Sequence, residues 1–297
     1  MHGYAQLNFG PGFQPVRAAL YYAQRMAVWP WLRGGMARGI AAAIGQRHRP
    51  PGPPAPSAVA TLARLRQDGL VGMEGLAPPA VVAEIMAHLA GEALVLPDGT
   101  QCGLDAVPAG THLAAYPLAT VLRCPAVTRL INDPGMLDLV ARYLGCTPTL
   151  SSLGIRWSFP AESPGGAVQR YHRDPDDWRF LKLFVYLTDV DLDAGPHVFV
   201  KGSHLTAARL RARPYTGQDI DLLHGAGAAL PVTGPAGTSF LADTYGIHRG
   251  MVPIRRARLI LQAQYSLLPV FAFRYEPVAV TPRPAVDRYI NRLLLAG

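Results

Sequence analysis

Residues Gln169 to His204 read QRYHRDPDDWRFLKLFVYLTDVDLDAGPHVFVKGSH, and the rest of the chain is organised around them. His172 and Asp174 stand two positions apart. In an extended backbone, side chains at i and i+2 leave the same face, so an imidazole and a carboxylate can converge on one ion. Leu181 to Val190 follows with β-branched and aromatic residues, the texture of a strand. Ala194, Gly195 and Pro196 mark a turn, and His197 to Val200 a second short strand. The His–Asp pair therefore lies at the mouth of a β-structure. His197 and His204 flank the turn glycines and read as residues that cap backbone groups rather than bind metal.

A third candidate ligand is His248, in FLADTYGIHRG, 76 residues beyond His172. Two imidazoles and one carboxylate form the facial set that holds non-haem Fe(II) and leaves coordination positions open, whereas thiolates would favour zinc. Ten residues further on, Arg258 opens the strand-like RLILQAQY. Its forked guanidinium matches a carboxylate bidentately, as a dicarboxylate cosubstrate requires. Alternation puts Arg258, Ile260, Gln262 and Gln264 on one face of that strand, and Leu259, Leu261, Ala263 and Tyr265 on the other. The first face carries the polar groups of a reaction chamber; Arg256 precedes the strand and Arg255 has the opposite parity.

The order H-x-D, LKLFVYLTDV, GPHVFVKGSH, DTYGIHRG and then an arginine entering the next strand resembles the phytanoyl-CoA dioxygenase family of Fe(II)- and 2-oxoglutarate-dependent oxygenases. The resemblance covers roughly Gly69 to Leu268, with the specific motifs between Arg170 and Tyr265. It implies an α+β fold around a double-stranded β-helix, a jelly-roll (cupin-like) barrel buttressed by helices. It also implies iron held by His172, Asp174 and His248, with 2-oxoglutarate and O2 as cosubstrates and succinate and CO2 as products. Arg258 would bind the distal carboxylate of 2-oxoglutarate. Lys182 shares parity with Phe184 and Tyr186 and would face the interior near the cosubstrate, or snorkel from a strand end. In related halogenases the carboxylate position is a small residue, so Asp174 favours hydroxylation. Related nucleic-acid repair dioxygenases carry a second arginine six residues after the first, which here falls on Gln264. The alternative from another class is a catalytically inactive or non-oxygenase jelly-roll that binds a metal or ligand.

Composition agrees with an enzyme acting on a small molecule. The chain has 297 residues, 49% hydrophobic and 16% charged, with no apolar run long enough to span a bilayer. Its net charge of +8 comes from arginines dispersed along the chain, which argues against a nucleic-acid partner. Cys102, Cys124 and Cys146 are widely spaced, without C-x-x-C, so a reducing cytoplasm is the expected setting.

Residues 1–56 read as an N-terminal helical extension and Pro-rich linker, and 57–297 as the dioxygenase domain. Val16 to Ile44 suggests helices broken near Pro30 and Gly34–Gly35, packing on the domain or docking on a membrane surface or a partner. Arg49 to Pro56, RPPGPPAP, reads as the linker. Helices are expected from Ser57 to Gly69, after Pro79, after Asp133–Pro134 as far as Gly145, and from Pro284 to Leu295. Short strands dominate from Leu150 onward. The connection Leu205 to Leu230, with Arg209, Arg211 and Arg213, is a candidate lid over the site. Trp157 and Trp178 fit aromatic core better than pocket wall.

Overall fold

The computed structural model describes residues 3–45, 56–161, 169–208 and 214–297. Proline sets the helix starts, since its fixed φ and missing amide hydrogen suit a first turn. On this pattern stand α1 (Pro15–Met26), α2 (Pro30–Ile44), α3 (Pro56–Asp68), α4 (Pro79–Leu89), α5 (Leu118–Arg123, directly after Pro117), α6 (Pro125–Ile131) and α7 (Pro134–Leu144). Helix α7 is also capped by the Asp133 side chain, which accepts from Met136 N, and stops at a left-handed Gly145. Two short helices come later, α8 (Gly217–His224) and α9 (Arg288–Asn291).

The strands fall into a short early set and a longer later one. The first comprises β1 (Gly3–Tyr4), β2 (Leu70–Gly72), β3 (Leu94–Val95), β4 (Gln101–Cys102) and β5 (Leu113–Ala115). The second begins with β6 (Thr149–Ser158), β7 (Phe180–Tyr186), β8 (His197–Val200) and β9 (Ala229–Val232). It ends with β10 (Ser239–Ala242), β11 (His248–Gly250), β12 (Arg258–Ser266) and β13 (Phe273–Arg274). An eight-stranded antiparallel sheet runs β2-β10-β7-β12-β6-β5-β3-β4, a three-stranded one runs β11-β8-β9, and β1 pairs with β13.

The large sheet separates two chemistries. On one face Leu153, Ile155, Leu183, Leu259, Leu261 and Tyr265 join the core that holds Ile85, Leu122 and Leu144 of the helices. On the other, Phe184, Tyr186, Phe240 and Ile260 pack with Phe199 of the small sheet, so the two sheets face one another across a second, smaller core. The result is the expected α+β jelly-roll arrangement, built as two facing sheets rather than a continuous closed ring.

Two local expectations need correction. Helix α2 runs unbroken through Gly34 and Gly35, because Ala37 and Ala41 are buried in the main core and hold it there; the chain breaks only before Pro30. The C-terminal helix is confined to Arg288–Asn291. Pro282 and Pro284 disfavour helical geometry in the residues before them, and the first cap is Asp287, which accepts from Ile290 N at 2.8 Å. Of the expected linker Arg49 to Pro56, residues 49–55 lie outside the described residues and Pro56 already opens α3; Arg209, Arg211 and Arg213 also lie outside them. The remainder of the candidate lid contains α8, begun by a capping box of Thr216 and Asp219.

Asp177 ties the N-terminal helices to the site. Its buried carboxylate accepts from Trp178 N and Leu268 N, each at 2.8 Å, and from Gln24 Nε2 of α1 at 3.2 Å. Its carbonyl receives Arg33 of α2. Asp177→Ala keeps the carbonyl for Arg33 but leaves Trp178 N, Leu268 N and Gln24 Nε2 buried and unmet, and should lower the unfolding free energy by about 3 kcal/mol. Denaturant titration checks this: the midpoint should fall with the slope unchanged, and an unchanged midpoint would mean that water replaces the carboxylate at no cost.

Candidate metal centre

The centre begins as a backbone contact. His172 and His248 form an antiparallel pair in which the N–H of each donates to the carbonyl of the other, both at 2.9 Å. Directly opposed residues of such a pair share a face, so the two imidazoles stand side by side, ring centres 4.3 Å apart. Asp174 N donates to Thr244 O at 2.9 Å, and the i, i+2 relation brings its carboxylate to the same side.

Each imidazole is held at its far nitrogen. His172 Nδ1 lies 2.7 Å from Arg170 O and His248 Nδ1 3.0 Å from Gly246 O. A carbonyl only accepts, so both Nδ1 atoms carry hydrogen, and in the neutral rings the lone pairs reside on Nε2. Those Nε2 atoms each stand 3.3 Å from an Asp174 oxygen, His172 from Oδ1 and His248 from Oδ2. One ligand atom from each of the three side chains lies within 4.8 Å of the others, and no other such trio occurs among the described residues.

The electrostatics favour an anionic carboxylate at Asp174, and although burial opposes charge on His172, its contact with that carboxylate outweighs burial and raises its pKa. Burial would raise the Asp174 carboxyl, but the Lys182 ammonium beside it outweighs this and holds it well below the usual range. Burial pushes His248 down, against the pull of Asp174. The Lys182 ammonium sits 2.6 Å from Asp174 Oδ2 and 3.2 Å from Asp176 Oδ2. Burial opposes its charge, yet the two carboxylates raise its pKa above the ordinary value. Lys182 thus faces inward, holding one carboxylate oxygen and leaving Oδ1 toward His172. Nitrogen and oxygen donors with no thiol suit a non-haem iron better than a structural zinc. Cys124 and Cys146 are buried instead in the helical core, where burial raises both thiols, Cys146 to about 11.

Arg258 lies on the inner face, as the strand alternation implies, and is buried. Its guanidinium donates to Gly195 O and, at 3.3 Å, to Ser158 Oγ. Nε has no partner, and no carboxylate pairs with Arg258 among the described residues. Burial pushes its pKa down to about 10. By contrast Arg255 and Arg256 are exposed on the surface turn, paired with Asp193 and Asp191.

Two inner-face residues escaped the sequence reading. Arg156 on β6 donates to Gln262 Oε1 at 3.2 Å, close enough to feel the Asp174 charge. The turn predicts that His197 caps backbone groups, but its ring does not do so among the described residues; its backbone N donates to the Tyr186 hydroxyl at 2.9 Å. Its ring is buried among Phe184, Phe240 and His248, and Nε2 has no partner among the described residues. The glycine turn before it offered no signal for that orientation. His204 behaves as expected, its Nε2 3.1 Å from Arg66 O. Trp157 is core, and Trp178 packs against the same core beneath Arg33.

A family model for phytanoyl-CoA dioxygenase (PhyH) matches residues 65–251, most of the chain. The chain belongs to the phytanoyl-CoA dioxygenase family. With that membership comes Fe(II)- and 2-oxoglutarate-dependent oxygenase chemistry as a class. Solved structures give the same fold. EctD from S. alaskensis, in complex with 2-oxoglutarate and 5-hydroxyectoine, is 19% identical with a TM-score of 0.53, covering 86% of this chain and 89% of that one. The 2-oxoglutarate-dependent carbocyclase SnoK of nogalamycin biosynthesis is 17% identical with a TM-score of 0.51, covering 72% and 87%. The epimerase SnoN from the same biosynthesis is 23% identical with a TM-score of 0.50, covering 70% and 82%. Among curated proteins, no sequence matches this phytanoyl-CoA dioxygenase family member significantly.

The carbonyl that receives Arg258 belongs to Gly195, whose φ of 69° lies in the left-handed region. A Cβ there would stand 2.5 Å from Met251 O and Pro253 N. Gly195→Ala should therefore cost about 3 kcal/mol or more, from combined backbone strain and collision. Thermal unfolding measures it, and a shift as small as a surface substitution gives would show that the turn accommodates a side chain.

Proposed function

We propose that this chain hydroxylates an unactivated C–H bond of a small organic molecule or acyl conjugate, consuming 2-oxoglutarate and O2 and releasing succinate and CO2. The carrying observation is the trio of His172, Asp174 and His248, with both Nε2 lone pairs turned toward one carboxylate, near a buried arginine that has no counterion. His172, Asp174 and His248 would hold the iron, which with 2-oxoglutarate would supply the oxidising power to put one oxygen atom of O2 into the substrate and the other into succinate.

The protein's own work is positional. Backbone carbonyls fix both histidine tautomers, and Lys182 holds Asp174 Oδ2, which keeps the carboxylate ionised and leaves Oδ1 for the metal. Lys182 thereby adjoins the cosubstrate through the carboxylate it orients. Arg258 supplies the anion site for the distal carboxylate of 2-oxoglutarate, with Ser158 beside it. Its position beyond the matched residues 65–251 means that this role rests on its burial and missing counterion. Arg156, Gln262 and Gln264 offer polar groups to a substrate on the same inner face. Because SnoN is an epimerase and SnoK a carbocyclase, the same fold also carries outcomes other than hydroxylation, set by how the chamber holds the substrate.

Asp174→Ala should abolish 2-oxoglutarate turnover. Losing a charge-assisted bidentate pair costs a few kcal/mol, so Arg258→Ala should raise the apparent 2-oxoglutarate constant about a hundredfold, with Arg255→Ala near neutral. Succinate release, measured against 2-oxoglutarate concentration with a panel of small-molecule substrates, decides both. An unchanged constant for Arg258→Ala, or a larger loss at Arg255, removes the assignment; product analysis separates an alcohol from an epimer or a new ring.

A further inference from the structure

Helix α1 faces the wrong way for a helix that only buttresses a core. Val16, Ala19, Leu20, Ala23 and Met26 recur at helical spacing on one face, and all are exposed, Val16 at 74% and Met26 at 68%. The docked face carries buried Ala18 and Gln24 with Arg17 beside them. Arg17 Nε donates to Phe271 O at 2.7 Å, and Gln24 Nε2 reaches buried Asp177. An amphipathic helix ordinarily buries its apolar stripe, so this stripe is kept for something outside the chain. Exposed apolar surface continues on either side, with Phe9 at 92% before the helix, then Trp29 and, at 73%, Trp31 after it.

Charge identifies the occupant. No acidic residue precedes Asp68, while Arg17, Arg25, Arg33 and Arg38 lie within the two N-terminal helices. Arg38 is exposed and has no hydrogen-bond or ion-pair partner among the described residues. With Arg33, Arg66 and Arg179 it lines a pocket of about 350 Å³ beside α2, where Asp243 is the one carboxylate and already accepts from the Tyr143 hydroxyl at 2.5 Å. We propose that α1 and the start of α2 form a docking surface for an anionic phospholipid bilayer. The apolar stripe and the two tryptophans enter the headgroup and acyl boundary, and exposed Arg38 meets phosphate, while Arg17 and Arg33 stay engaged with the chain's own carbonyls.

A second copy of the chain fits this face less well. Joining two such surfaces would oppose two basic segments with no carboxylate between them. The α1 stripe by itself, about 18 Å long and about 10 Å wide, is roughly 200 Å², so an interface of about 800 Å² per partner would have to recruit Phe9, Trp29, Trp31 and further surface in one matching shape. A bilayer surface needs neither a matching shape nor that area. None of this depends on the metal centre.

Co-sedimentation of the full chain with vesicles tests the proposal, comparing phosphatidylcholine alone with phosphatidylcholine containing phosphatidylglycerol. Binding is expected to the anionic vesicles, to weaken as salt rises, and to be about tenfold or more weaker in Leu20→Glu and in Trp31→Ala. Both substitutions are at exposed positions and should leave the unfolding midpoint unchanged, so a loss of binding is not a loss of fold. The proposal is overturned if the wild type stays in solution with anionic vesicles, or if both variants bind as the wild type does. A lipid-free dimer in sedimentation velocity that Leu20→Glu dissociates would give the face to a second copy instead.

Discussion

The reciprocal backbone hydrogen bonds between His172 and His248 are the constraint on which the site depends. They fasten the segment before β7 to β11, which β8 in turn joins to the small sheet. Phe199 then packs that sheet against Phe184 and Phe240 of the large one. Because side chains alternate along extended chain, a slip of one residue in this pairing would turn His172 and Asp174 away from His248 together. His248 is thus held beside the neighbouring pair His172 and Asp174, 76 residues from His172, by groups every residue possesses, and the residue types need only supply the donor atoms.

Around this frame lie two electrostatic arrangements that cost stability. Asp174 is kept ionised by a buried lysine that it shares with Asp176, and Arg258 is a buried cation whose partners are a carbonyl and a hydroxyl. Burial of a charge without an opposite charge is expensive, and hydrophobic residues of similar size would usually serve a fold better. On the proposed function an anionic ligand would meet Arg258, as a metal cation would meet the two imidazoles.

Much of this was legible from sequence where a local rule and a tertiary need coincide. The parity of RLILQAQY put Arg258 inside and Leu259, Leu261 and Tyr265 under the helices, because one face of that strand had to be core. Proline and Asp133 marked where helices begin. Where local propensity competes with packing, the reading failed: Gly34 and Gly35 suggest a break, but burial of Ala37 and Ala41 carries α2 through them. Arg156 and the ring of His197 gave no signal, since each gains meaning only from side chains that the fold brings beside it. Helices over Val16 to Ile44 were expected too, but residue types alone do not state which face of α1 meets the core and which the solvent.

Addition of Fe(II) and 2-oxoglutarate to the protein under anaerobic conditions, followed by visible absorption, tests the central claim most directly. A charge-transfer band that grows to one equivalent of each, and is absent in Asp174→Ala, is the expected result. Protein that retains no iron and develops no band, while remaining folded, would contradict the assignment of His172, Asp174 and His248 as a metal centre.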